Sequence, residues 1–223
     1  MGRIVRQIFR VVLYTVLGFY GICLSGLCYL KFLPPLLTTV QLQHQIESFF
    51  APGAYTKRYT YVPLSEISDH LAHAVVAAED SRFFAHRGFD WQELEKAWQA
   101  ARRRSKPMRG ASTISQQLVK NLFLTTHRSF LRKGIEYTLT PLAELILGKQ
   151  RILELYLNVI EWGPGVYGAE AAARYHYDTS AVKLTREQAS RLAAVIPAPR
   201  TRIPQRMDGR SALIQTRMRQ MGW

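Results

Sequence analysis

The chain has 223 residues, 48% of them apolar, and its 30 Lys and Arg against 16 Asp and Glu give a formal charge of +14. That apolar content excludes a disordered chain, and the length admits one anchor plus one domain of about 150–180 residues with a real core. The charge asks for an anionic partner (nucleic acid, anionic lipid headgroups or a phosphorylated substrate) unless it is merely a solvated basic surface.

Arg3, Arg6 and Arg10 precede residues 11–30, a run without a charged side chain that Lys31 and Pro34-Pro35 close. At 1.5 Å per residue, such a run of about 20 residues matches a hydrocarbon core of about 30 Å. The basic flank belongs in the cytoplasm, so the chain after Lys31 belongs outside it. A cleaved signal peptide competes with this reading. The run is long for one and has no small-x-small site before the prolines, so an uncleaved anchor is preferred. Both cysteines, Cys23 and Cys28, fall inside it, leaving the remainder cysteine-free and compatible with either redox compartment. The expected organisation is a basic cytoplasmic N-terminus at 1–10, a transmembrane anchor at 11–31, a juxtamembrane connector at 32–62 and the main domain at 63–223.

Residues 36–50 read as a short amphipathic helix ended by Ala51-Pro52-Gly53. Residues 55–62 alternate aromatic and basic side chains, which suits a short strand or an ordinary connector packing its tyrosines on the core. From Ser65, a candidate N-cap, the chain turns helical, and Ile67, Leu71, Ala74, Val75 and Ala78 form a buried face. Glu79 ends that face. A carboxylate there is either partly desolvated and tuned as a base or a surface group paired with Arg82, and the helix pattern alone leaves both open. A second amphipathic helix over 90–104 puts Trp91, Leu94 and Trp98 on one side. It runs into a basic Pro- and Gly-containing loop at 102–109, expected to act as a mobile flap.

From Lys96 to Ile135 there are ten Lys or Arg and no Asp or Glu, an electropositive wall directly after Glu79. Within it, Thr113 and Gln116 have the spacing of a capping box, so a helix should start behind Gly110 and offer free N–H groups to an anion. Ile114, Leu118 and Leu122 make its buried stripe, while Gln117, Lys120 and Asn121 share another face. Arg128, Arg132 and Lys133 follow, and Glu136 ends the acid-free stretch. Residues 137–160 are a long apolar-periodic segment that Pro141 and Gly148 should kink or split. A turn is expected at 162–165 and further helices over 168–175, 185–195 and 211–221. Walker, GxGxxG and HExxH patterns are absent.

Five motifs stand in order: EDxxFxxHxG at 79–88, GxSTIxQQxxKN at 110–121, RKxxE at 132–136, KxxILExYLN at 149–158 and WGxGxxGxxAAxxY at 162–175. With them the chain resembles the peptidoglycan glycosyltransferase family, in its monofunctional form without a transpeptidase domain. The resemblance covers about residues 60–200. It implies a mostly α, lysozyme-like domain behind one N-terminal transmembrane helix, in the bacterial inner membrane with the catalytic domain outside the cytoplasm. It implies polymerisation of lipid II, with the growing glycan chain, the membrane and proteins of division or wall synthesis as partners, and no nucleic acid. Glu79 matches the general base. Glu136 matches a second essential glutamate that orients basic side chains, holds a divalent ion or assists directly. Lys120 and Arg128 match pyrophosphate contacts that Arg132 and Lys133 extend, and Ser112, Thr113, Gln117 and Asn121 belong to the same binding stretch. Asp80, Phe83, His86 and Gly88 support the site, with His86 organising its loop. No cofactor is required, though Mg²⁺ or Mn²⁺ is compatible with the pattern. After Tyr175 the family has Phe, a small residue or Phe, then Lys, whereas this chain has His176-Tyr177-Asp178.

Two other classes compete with this one. A lysozyme-like hydrolase also uses two carboxylates, about 5–10 Å apart, but has little need of a basic wall or an anchor. A non-catalytic anchored scaffold or nucleic-acid binder is the other, and the topology speaks against nucleic acid.

Overall fold

The computed structural model describes residues 2–50, 55–104 and 112–223. The Pro-Gly helix end at 51–53, the hinge Gly110 and most of the expected flap lie outside the described residues.

Helix α1 (Gly2–Leu30) takes in the whole apolar run and is long and apolar enough to cross a membrane. Residues 2–18 are exposed, whereas Cys23, Leu27 and Leu30 are buried, a stripe at helical spacing that docks on the domain. Helix α2 (Thr39–Phe50) follows and packs on the domain too, with the Thr39 hydroxyl donating to the Leu122 carbonyl at 2.8 Å.

The anticipated helix from Ser65 begins later. Residues Leu64–Glu66 form one 3₁₀ turn, Ile67 is extended and buried, and α3 runs Asp69–Glu79 with Ser68 at its N-cap. Tertiary bonds decide the difference: Glu154 accepts from the Leu64 N–H, and the Ala181 carbonyl accepts from Ser68 N. Asp90 caps α4 (Trp91–Arg104) by accepting from the N–H groups of Gln92 and Glu93. The tryptophan face of α4 does not enter the core, since Trp91 and Trp98 are both exposed.

Helix α5 (Ile114–Phe123) packs along α6 (Phe130–Val159), the central pair of the domain. The break in α6 falls at Gly148 (φ 73°, ψ 165°), and Pro141 is carried inside a helical arm. That backbone region is almost exclusive to glycine, whereas Pro141 is exposed and removes only one ladder bond.

Of residues 162–165, expected as a turn, Pro164 and Gly165 make the turn and Trp162 and Gly163 belong to a strand of a small sheet. Strands β1 (Arg58–Tyr59), β2 (Glu161–Gly163) and β3 (Val166–Tyr167) lie in the order β1-β3-β2, with β1 parallel and β2 antiparallel to β3. Helices α7 (Ala169–Tyr177), α8 (Arg186–Val195) and α9 (Asp208–Gln220) complete the fold. Helix α3 lies against α8 and α9, so its C-terminal end, and Glu79 with it, is held from two sides. The fold is mostly α, as expected. The His176-Tyr177-Asp178 departure is absorbed locally: His176 Nε2 donates to the Trp162 carbonyl at 3.0 Å, and Asp178 closes α7 in the left-handed region.

Candidate functional site

The apolar face of α3 buries Leu71, Ala74 and Val75, which carries the helix end into the protein and leaves Glu79 half-buried at its last position. Asp80 then turns out of the helix and is itself buried. Its Oδ2 accepts from Ile114 N at 3.0 Å, the first N–H of α5, and both its oxygens face His86 Nε2 at 2.9 and 3.1 Å. Thr113 caps α5 in the expected capping box with Gln116. The start of α5 is therefore largely satisfied from within the protein. Asp80 and the Thr113 hydroxyl take two of the N–H groups, those of Ile114 and Gln116, that the sequence pattern offered to an external anion.

The loop back from Asp80 is pinned to this cap, since Thr113 Oγ1 donates to the Gly88 carbonyl at 2.6 Å. Gly88 sits at φ +94°, and a Cβ there would lie 2.8 Å from Thr140 Cγ2, so both conformation and space require glycine. Phe83 is fully buried below the loop, with Lys149 Nζ 4.3 Å from its ring centroid. Asp80, Thr113, Gly88 and Phe83 hold the carboxylate-bearing end of α3 against α5.

On the open side, Gln117 Nε2 donates to Glu79 Oε2 at 2.9 Å. The amide orientation follows from Tyr156, whose buried hydroxyl donates to Gln117 Oε1 at 2.8 Å and leaves the NH₂ group for Glu79. Burial raises the proton affinity of Glu79, opposed by the Gln117 hydrogen bond and the charges of Arg210, Lys120 and Arg202. Lys120, one turn beyond Gln117, is shifted the other way. Burial lowers its affinity for a proton, with Glu136 and Glu79 opposing that and Arg132 and Lys133 adding to it. The ion-pair reading of Glu79 with Arg82 does not hold, because Arg82 instead approaches Gln92 and Asp90.

Glu136 is buried on the first arm of α6 and takes Arg132 Nη1 at 2.8 Å and the Lys133 ammonium one turn away. Lys133 also donates to Ser112 Oγ at 3.2 Å, which brings the basic wall to the mouth of α5. Both Glu136 oxygens are occupied by cations, a setting that suits orienting basic side chains and does not suit holding a divalent ion. Arg128 is exposed just before α6 and makes no side-chain hydrogen bond or ion pair among the described residues. Asn121 donates to the Gln117 carbonyl at 2.7 Å, so it steadies the α5 backbone under the site.

Gln117, Lys120 and Asn121 also face a cavity of about 430 Å³ closed by α2 and residues 196–201. His44, Glu47, Glu161 and Arg200 line it as well, with the Arg200 guanidinium 3.0 Å from Glu161 Oε2 and His44 Nδ1 2.7 Å from the Tyr167 hydroxyl. Sequence reasoning missed this wall, because it assigned α2 to the connector. It missed Tyr156 for another reason: at helical spacing in an apolar run, the residue reads as core. Its place in the KxxILExYLN motif was the signal available. A desolvated carboxylate, a hydrogen-bond donor aimed at it, and the neighbouring charges of Lys120, Arg132 and Lys133 equip the site for proton removal from a hydroxyl beside a developing anion.

The transglycosylase family model matches residues 44–221. A biosynthetic peptidoglycan transglycosylase of Chromohalobacter salexigens is 42% identical over 221 residues, covering 97% of this chain and 94% of that one. One from Pseudomonas entomophila is 40% identical over 226 residues, covering 100% and 94%. One from Bordetella pertussis is 53% identical over 171 residues, covering 73% and 70%.

Proposed function

This chain belongs to the transglycosylase family and is a peptidoglycan glycosyltransferase of cell-wall biosynthesis, and we propose that it polymerises lipid II into glycan strands with inversion and release of undecaprenyl pyrophosphate. The observation that carries the proposal is Glu79, tethered by Gln117 and facing Lys120, beside a basic group locked by Glu136. Glu79 takes the proton from the 4-hydroxyl of the acceptor sugar. That oxygen attacks the anomeric carbon of the growing chain, and the lipid pyrophosphate leaves with the bonding pair. The leaving group is stable once its charge is met, so Lys120, Arg128, Arg132 and Lys133 stabilise the transition state most where the phosphate charge grows. Glu136 positions that group, holding Arg132 and Lys133 by ion pairs so that little reorganisation remains at the moment of bond breaking.

The placement of the anchor supports a substrate delivered from a bilayer. Tyr20 of α1 bonds Thr138 of α6 at 2.5 Å, two residues from Glu136. Arg151 grips the far end of α1, donating to the carbonyls of Leu30 and Leu33 at 2.7 Å. The basic arm of α6 therefore runs beside the upper half of the membrane helix. At its tip, Phe130 and Leu131 are 99% and 76% exposed, apolar side chains available to lipid. We place the domain outside the cytoplasm, at the outer face of the inner membrane, with Arg3, Arg6 and Arg10 on the cytoplasmic side.

The test is the wild-type chain and Glu79→Gln given lipid II in detergent or bilayers. Glycan polymer and released undecaprenyl pyrophosphate from the wild type, cut by about 10²–10⁴-fold in the variant, are expected for a general base. Shortening of finished glycan by the wild type would show a hydrolase instead. Normal polymerisation by Glu79→Gln would remove Glu79 from the mechanism.

A further inference from the structure

Helix α2 turns its apolar stripe outward. Leu42, Ile46, Phe49 and Phe50 follow one another at i, i+4, i+7 and i+8, and all are exposed, Phe49 and Phe50 at 80% and 87%. The opposite side carries Val40, Gln41 and His44, all buried, and Val40, His44 and Glu47 line the cavity that Gln117 and Lys120 also face. A surface helix of a water-soluble domain has the reverse arrangement, with its apolar stripe against the core. The connector before α2 continues the exposed surface, Phe32 and Leu36 being 78% and 82% exposed. Residues 32–56 hold one charged side chain, Glu47, in a chain whose formal charge is +14. A contiguous apolar surface of this kind marks a contact with a membrane or another protein.

We propose that α2 is a second membrane contact, with Leu42, Ile46, Phe49 and Phe50 among the acyl chains of the bilayer that α1 crosses. Its position beside the anchor favours lipid over a protein partner. The Thr39 hydroxyl donates to the Leu122 carbonyl, and the ring of the next residue, Phe123, lies 3.0 Å from a Cβ built on Gly26 of α1. Helix α2 therefore starts alongside the apolar run at 11–30 and not beyond its end. The outward stripe is also held in place. The carbonyls of Leu33 and Pro35 accept from Arg151 and Tyr59 at 2.7 and 3.0 Å. The Gln43 amide accepts from Thr126 N at 2.8 Å and donates to Thr126 Oγ1 at 2.7 Å. A helix can meet hydrocarbon on one side because its backbone groups are satisfied internally. The proposal rests on α1 spanning a membrane and goes beyond the lipid II reading, since it backs one wall of the catalytic cavity with lipid.

The test puts the full chain, one copy per disc, into phosphatidylcholine nanodiscs with plain or brominated acyl chains and reads tryptophan emission. Phe49→Trp and, separately, Ile46→Trp each add one reporter to the four native tryptophans, and subtracting the wild-type spectrum isolates it. The added emission should be blue-shifted, quenched by brominated lipid and untouched by aqueous iodide. If one variant fails to fold, the other decides. Quenching by iodide and not by brominated lipid overturns the contact. Protection from iodide that appears only in discs holding two chains assigns the stripe to a second copy and overturns it as well. Extraction of the same chain from vesicles with alkaline carbonate tests the anchor separately. A chain that washes off removes the α1 span and this contact with it, whereas an anchored chain whose reporter meets iodide removes the α2 contact alone.

Discussion

Two influences pull the Glu79 carboxylate in opposite directions. Burial favours the acid, the Gln117 amide and the charges of Arg210, Lys120 and Arg202 favour the anion, and burial wins. A carboxyl raised above its unfolded value binds a proton more tightly when folded, so its ionisation weakens the fold as pH rises from the unfolded to the folded value. Glu79→Gln, which mimics the acid and still accepts from Gln117, should therefore raise Tm at neutral pH while cutting turnover by about 10²–10⁴-fold. The gain should shrink as the pH is lowered toward 4, where protonation of the wild type becomes favourable in both states. Thermal melts at the two pH values, in chelator, check this, and a variant less stable than wild type at neutral pH would contradict it. Tyr156 acts one step further out, by fixing the amide of Gln117. Tyr156→Phe keeps the packed ring but frees that amide to turn its oxygen toward Glu79. The acid limb of the kcat/KM–pH profile should then move to higher pH, because the carboxylate loses a donor that favours its charged form. An unmoved limb would reduce Tyr156 to packing alone.

At the scale of elements, what the sequence made legible was whatever a helix terminus or a charge run encodes locally. The Thr113–Gln116 capping box, the helix ending at Glu79 and the acid-free basic stretch are all of this kind. What stayed hidden depends on partners far along the chain. Helix α2 becomes a wall of the cavity through contacts with α5 some 83 residues on, as Thr39 and Leu122 show. Ser65 loses the N-cap to Ser68 because Glu154 and Ala181 hold the backbone there. The two- and three-residue strands are too short to show any alternation. The choice between Pro141 and Gly148 as the break in α6 was equally out of reach, since it rests on a single positive φ. Gly148 has nothing within 4 Å of a built Cβ, so any cost of Gly148→Ala is conformational. It should destabilise by about 1–3 kcal/mol, whereas Pro141→Ala, which restores a ladder N–H, should be neutral or stabilising. Equal melting of the two variants would mean that the break is imposed by packing and not by the glycine.

For the molecule as a whole, the anchor is part of the domain's architecture and not a tether joined by a free linker. Its upper turns bury Cys23, Leu27 and Leu30, Tyr20 bonds Thr138, and Arg151 closes the helix end. Each of these contacts reaches α6 or its neighbours, and α6 also carries Arg132, Lys133 and Glu136. The position of the basic group relative to α1 is thereby set by how that helix seats on the domain. Gly26 lies in this seam, a built Cβ lying 3.0 Å from Phe123 Cε1. Alanine there asks only that the tip of Phe123 give way, but a β-branched side chain fills the space the ring occupies. Gly26→Ile should therefore cost about 1–3 kcal/mol through overpacking and reduce turnover of lipid-borne substrate in bilayers. Gly21 supplies the control: it lies on the same helix with nothing within 4 Å, and the same change there only adds apolar surface toward lipid. Gly21→Ile should leave Tm and turnover near wild type. If both variants behave alike in bilayers, the seating of the anchor does not position the site, and the domain finds its own depth from exposed groups such as Phe130 and Leu131.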